Sequence, residues 1–146
     1  MRFIIIIFIL SCLTSCDKNN STYVDEFSVI IHEHDYYSKK YDTYIPNKQD
    51  ISKGLKLFRQ KIDSSDQLFN IPSDILDSVY KQYFGYYEKG NKILIINCLC
   101  ELWESPEEVD YFNQRLSIPN DGGFCYFQGY VDMTNDTVRL SVNGDL

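Results

Sequence analysis

Three thiols late in the chain are the residues best placed to do covalent chemistry. Cys98 and Cys100 lie two apart in the run Asn97-Cys98-Leu99-Cys100, and Cys125 follows in a second β-rich run. Side chains alternate along a strand, so Cys98 and Cys100 share a face. A bond between them would strain the strand, because Cα atoms two residues apart sit near the ~7 Å limit for a disulfide. Cys125 could meet either. In an oxidising compartment one bridge is expected. It would close a loop of about 27 residues and stabilise by roughly 3.5 kcal/mol on the chain-entropy account. The competing reading is three buried thiols packing as small hydrophobes.

Other constellations are weaker. His32 and His34 fall on one side of an extended segment. Two imidazoles can hold zinc or copper only with a third ligand, and none stands at a recognisable spacing, so a solvated polar loop is expected. Glu101, Glu104, Glu107, Glu108 and Asp110 cluster around Trp103. Paired carboxylates beside an aromatic suit glycoside chemistry, but two of these glutamates already have a role in starting a helix. Asp121-Gly122-Gly123 lacks the alternating acids of a calcium loop and reads as a turn. No Gly-x-Ser-x-Gly nucleophile motif occurs. No catalytic residue, metal or cofactor is expected.

The N-terminus carries a different chemistry. Arg2, the unbroken apolar run 3–10 and the small residues before Cys16 make a secretory signal. Eight apolar residues span only ~12 Å as a helix, against a hydrocarbon core of about 30 Å, so the run is no membrane-crossing segment. Leu13-Thr14-Ser15-Cys16 looks like a bacterial lipobox, whose cysteine takes a diacylglycerol. Cys12 is a poorer match, because Leu10 stands where a small residue is wanted. The alternative is a plain signal peptide that leaves Cys16 an ordinary thiol. The expected organisation is a signal peptide over 1–15, a lipidated tether over 16–26 and one domain over 27–146.

After such a cut all 21 acids remain against thirteen lysines and arginines, a net charge of −8. That balance leaves no basic patch for nucleic acid or for anionic lipid. The membrane partner is then the lipid anchor itself, which needs two or more chains to hold stably. About 120 residues can fold, enough for one domain with a real core. The chain has no Ala, but 16 Ile and 10 Asn. That skew matches an AT-rich genome, which also accounts for much of the richness in tyrosine.

The elements that must position these residues follow from pattern. Residues 47–62 predict the best helix: Asn47 caps it, and Ile51, Leu55, Phe58 and Ile62 form one stripe. A short helical turn is expected over 72–79. Residues 80–87 and 92–100 read as a hairpin, with the apolar 93–96 run central in a sheet. Ser105-Pro106 opens a second helix, with Glu108 completing a capping box and Val109, Phe112 and Leu116 on one face. Residues 124–132 and 137–142 make a second hairpin, 27–31 a first strand, and 32–44 no helix. The order argues for an α+β fold, an antiparallel sheet of about four to five strands with one or two packed helices.

The segments Tyr80-Lys81-Gln82-Tyr83-Phe84-Gly85-Tyr86, Ile95-Ile96-Asn97-Cys98-Leu99-Cys100, Asp121-Gly122-Gly123-Phe124-Cys125-Tyr126-Phe127 and Leu140-Ser141-Val142-Asn143-Gly144 resemble a group of small lipoproteins of Bacteroidota-type bacteria. Ile45-Pro46 and Asp50-Ile51 fit the same pattern, so the resemblance runs from about Tyr44 onward. It implies secretion and an α+β domain, and no particular activity. Asp136-Thr137-Val138 and, less favourably placed, Asp77-Ser78-Val79 resemble O-glycosylation sites of such bacteria, which makes Thr137 the candidate acceptor.

Together these readings lead to a lipid-anchored cell-envelope protein, at the outer membrane and on either face of it. It would act as a non-enzymatic binding or structural module for a protein or glycan partner. An aromatic patch using Tyr36, Tyr37, Tyr41 and Trp103 would serve that role. The alternative is an inhibitor or immunity-type protein that blocks one partner through a protruding wedge. An enzyme would instead need a pocket lined by His32, His34 or the three late cysteines.

Overall fold

The computed structural model describes residues 21–65, 71–101, 105–117 and 125–142. In chain order the elements are β1 (Ser21–Asp25), β2 (Ser28–Ile31), α1 (Asp35–Lys40), β3 (Thr43–Tyr44) and α2 (Lys48–Ser64). A 3-10 turn (Ser73–Asp77) precedes β4 (Tyr80–Glu88), β5 (Asn91–Leu99), α3 (Pro106–Gln114), β6 (Tyr126–Asp132) and β7 (Thr137–Val142). Seven strands form one sheet in the order β1-β2-β4-β5-β6-β7, with β3 also on β4. Strands β2 and β3 share one edge of β4 end to end: β2 takes Lys81 to Tyr83 and β3 takes Gly85 and Tyr86.

The α+β class holds, but the sheet is larger than the four to five strands expected, and three α-helices pack on it rather than one or two. It is also not wholly antiparallel, since β2 runs parallel to β4. Two causes account for the miscount. Residues 21–25, expected to belong to the tether, pair with β2 as an edge strand with mostly exposed side chains, so they carry no apolar alternation. Residues 32–44, expected to lack helix, hold α1 and the two-residue β3.

Helix α2 forms as its sequence dictates. Asn47 Oδ1 accepts from the Gln49 and Asp50 amides at 2.9 and 3.0 Å, and Asp50 Oδ2 accepts from the Asn47 amide at 3.2 Å, a complete capping box. Its stripe of Ile51, Phe58 and Ile62 is buried against Leu94, Ile96, Cys98, Phe127 and Val131 on one face of the sheet. The other face packs Tyr37 of α1 and Phe112 of α3 against Val29, Ile31, Phe84, Ile95 and Tyr126. Strand β5 is therefore central, and Leu94, Ile95 and Ile96 are wholly buried. Each such side chain contributes about 2 kcal/mol of hydrophobic stabilisation.

Both expected hairpins form. β4 and β5 join through Lys89 and Gly90, both at positive φ (50° and 84°), the geometry whose twist suits a two-residue hairpin. β6 and β7 join through residues 133–136. There Asp132 Oδ1 accepts from the amides of Thr134 and Asn135 at 2.9 and 3.0 Å.

Candidate functional site

The face that packs α1 and α3 carries a buried row of amides. Gln82, Asn97 and Gln128 stand side by side on β4, β5 and β6, and all three are buried. Asn97 Nδ2 donates to Gln82 Oε1 at 2.8 Å, and Gln128 Nε2 donates to Asn97 Oδ1 at 3.0 Å. The row meets the last turn of α3, whose final carbonyls have no partner within the helix. Gln82 Nε2 donates to the carbonyls of Phe112 and, at 2.7 Å, of Arg115. Asn97 Nδ2 donates to the Ser117 carbonyl, and the Ser117 amide donates to Gln82 Oε1, both at 2.8 Å. Two side chains from the sheet, Gln82 and Asn97, thus cap and seat the end of α3, and Gln128 braces Asn97 from behind.

The row runs on through tyrosines toward the surface. Tyr130 Oη donates to Gln128 Oε1 at 2.8 Å, and Tyr37 lines the same cleft as Tyr130. Beyond Tyr37 opens a cleft of about 360 Å³, the small end of the range for small-ligand sites. Tyr86, Ile93 and Tyr130 give it strands as a floor, and Tyr36 and Tyr37 of α1 with Tyr41 at its C-cap form one wall. Glu88, Asp132, Thr137 and Arg139 make a polar rim. The Arg139 guanidinium stands 4.5 Å from the Tyr130 ring centroid, and Tyr41 Oη donates to Glu88 Oε1 at 3.0 Å. Tyr36 is 57 % exposed and presents its ring to solvent.

Burial pushes the phenols of Tyr37, Tyr86 and Tyr130 above their ordinary value, so they stay protonated at physiological pH. They offer hydroxyl groups and π faces rather than oxyanions. Among the described residues the cleft lining includes no imidazole and no thiol. The arrangement can stack on an apolar face and hydrogen-bond at its margin.

Of the residues singled out in the sequence, Tyr36, Tyr37 and Tyr41 come together at this cleft. Cys16, Trp103, Glu104 and Asp121 to Gly123 lie outside the described residues. Tyr86, Tyr130 and Arg139 were not anticipated, because only strand pairing brings them to α1. Thr137 is exposed on the cleft rim, and the preceding Asp136 pairs with Lys53 at 2.5 Å. Ser78 Oγ donates to the Ile75 carbonyl at 3.1 Å.

The histidines part company. His32 Nε2 is hydrogen-bonded to Thr22 Oγ1 at 2.8 Å, which ties β2 to β1. His34 is the N-cap of α1: its Nδ1 accepts from the Tyr36 and Tyr37 amides at 3.3 and 3.4 Å. Burial lowers the His34 pKa, with Asp35 acting the other way, and its ring packs against Tyr37 and Phe84. A second, smaller cleft of about 210 Å³ is lined by His34 with Glu33, Asp35, Tyr111, Gln114 and Arg115. The His34 nitrogen that caps α1 is already engaged there. No group of three or more potential ligands that could hold a metal ion occurs among the described residues. Glu107 and Glu108 lie in the first turn of α3, where Ser105 Oγ accepts from the Glu108 amide at 3.2 Å.

Cys98, Cys100 and Cys125 are all free thiols, respectively buried, partly buried and exposed. No family model matches the chain, and no curated protein or solved structure does so either.

Proposed function

We propose that this chain is a lipid-anchored cell-envelope lipoprotein, held at the outer membrane through Cys16. Its domain is a non-enzymatic binding module that uses the tyrosine cleft as its seat. The anchoring rests on the signal and the Leu13-Thr14-Ser15-Cys16 motif. The binding role rests on one observation: five elements of the fold converge on a concave, tyrosine-lined cleft with a charged rim. Protonated phenol rings suit the apolar faces of sugar rings, and a guanidinium beside carboxylates suits their hydroxyl groups. A glycan is therefore the favoured partner.

The test is a glycan array probed with the chain from residue 16 onward, carrying Cys16→Ser. Retention of a defined glycan is expected, weakened about tenfold by Tyr36→Ala or Arg139→Ala and unchanged by Lys56→Ala on α2. A retained glycan that ignores both cleft substitutions would overturn the seat. No retained glycan, together with a one-to-one complex with a single envelope protein, would favour an inhibitor instead.

A further inference from the structure

The β5–β6 ladder does not stop at its last strand pair, Leu99 and Tyr126. One step further the Cys100 amide donates to the Cys125 carbonyl at 3.0 Å. The two cysteines thus face each other directly across an antiparallel pair. Hydrogen-bonded positions in such a pair hold their Cα atoms about 5.5 Å apart, inside the range that a disulfide spans. Cys98 is differently placed. It opposes Phe127, and it is wholly buried in the core under α2.

We propose that Cys100 and Cys125 form the disulfide of this protein, while Cys98 stays a buried thiol. Both thiols lose their protons, an Sγ–Sγ bond forms, and two electrons pass to an oxidised dithiol carrier or to oxidised glutathione, whose own disulfide is reduced to thiols. Cys125 is exposed and Cys100 partly exposed, so an oxidant can reach the pair. Burial pushes the Cys100 thiol above its ordinary value, and the greater exposure of Cys125 makes it the entry point for exchange. The bridge would close the loop that carries α3 at its base. That helix is also held by Phe112 in the core and by the Phe112 and Arg115 carbonyls on Gln82.

Oxidation in the cell rests on export to the envelope; formation of the pair does not, so both are read separately. Full-length protein is equilibrated with oxidised and then reduced glutathione, digested under thiol-blocking conditions and mapped by mass spectrometry. A Cys100–Cys125 cross-linked peptide is expected in the oxidised sample, with Cys98 recovered alkylated only after unfolding. Reduction should lower the melting temperature by about 10 °C. Cys100→Ser and Cys125→Ser should each melt at that lower value whatever the redox buffer. Cys98→Ala should keep the redox-dependent difference. Three alkylatable thiols in the oxidised protein, or a cross-link that includes Cys98, would overturn the proposal. A bridge that forms in glutathione but is missing from protein taken from cells would keep the pair and overturn only the envelope reading.

Discussion

Asn97 and Gln82 face each other across β4 and β5, and between them they hold both the amide and the carbonyl of Ser117. The pair converts two neighbouring strands into a socket for the end of α3. Replacing Asn97 with Leu keeps much of the volume but removes three buried hydrogen bonds at once, to Gln82 Oε1, to the Ser117 carbonyl and from Gln128 Nε2, and leaves Tyr126 Oη as the remaining side-chain donor to that carbonyl. A buried hydrogen bond contributes about 0.5–1.5 kcal/mol net. Urea unfolding of Asn97→Leu should show a loss of about 3 kcal/mol, and the Gln82→Leu double variant should fall short of additivity by about 1 kcal/mol or more. A loss below about 0.5 kcal/mol would remove the socket from the account of stability.

His34 makes the cleft wall sensitive to acid. Its Nδ1 must be unprotonated to accept the Tyr36 and Tyr37 amides, and burial lowers its pKa in the folded state. The unfolded chain therefore takes up the proton first, at the ordinary value near 6.5. The stability this cap contributes is fully present above that pH and is lost as pH falls through the lowered folded value. Protection of the α1 amides, measured as hydrogen exchange relative to the intrinsic rate at each pH, should fall below about pH 6.5. In His34→Asn, which keeps a capping oxygen without titrating, protection should be flat over the same range. An unaltered acid response in that variant would assign the sensitivity elsewhere.

Much of this architecture is legible in the residues themselves. Helix α2 announces itself through Asn47, Asp50 and an apolar stripe, and the hairpins through their flanking runs. Helix α1 does not. It is six residues long, its cap is a histidine, and the only residue it buries is Tyr37. Ring contacts at 5.0 Å to Tyr86 and 5.6 Å to Phe84 hold it, and those arise only once the sheet has formed. Strand β1 escaped for the opposite reason: its side chains pack on nothing that would leave a pattern. The amide row did leave a trace, a lone Gln or Asn inside each of three successive apolar runs, at 82, 97 and 128. Burying three such residues is costly unless they meet, which is reason enough to look for their meeting point.

Gly129 is where the sheet lets α2 approach. A Cβ at that position would stand 2.7 Å from Cδ2 of Phe58, a ring wholly buried between helix and sheet. Gly129→Ala should cost about 1–3 kcal/mol in thermal or urea unfolding. Adding Phe58→Leu should recover part of that loss, because it trims the ring that clashes. Equal or worse stability in the double variant would mean that the backbone, not the ring, sets the spacing.

Anchoring at Cys16 has a direct chemical signature. Cells fed a labelled fatty acid should incorporate label into the wild-type chain and not into Cys16→Ser, and the variant should move from the membrane fraction to the soluble one. Label retained in Cys16→Ser but lost in Cys12→Ser would shift the cleavage site upstream by four residues.

Among the described residues the paired backbone begins at Ser21, so a lipidated Cys16 would have a very short leash. Five residue steps reach at most about 18 Å even when fully stretched. Such a leash attaches at β1, one outer edge of the sheet, while the cleft spans β4 to β7, two to five strands away. At about 4.8 Å per strand that is roughly 10–24 Å across the sheet. With that anchor, the β1 edge would be confined to the headgroup region, and the cleft would be carried outward by the width of the domain itself, like a cup on a short stem. Lengthening residues 17–20 with a flexible insert would then change how far the domain roams, but not which part of it leads.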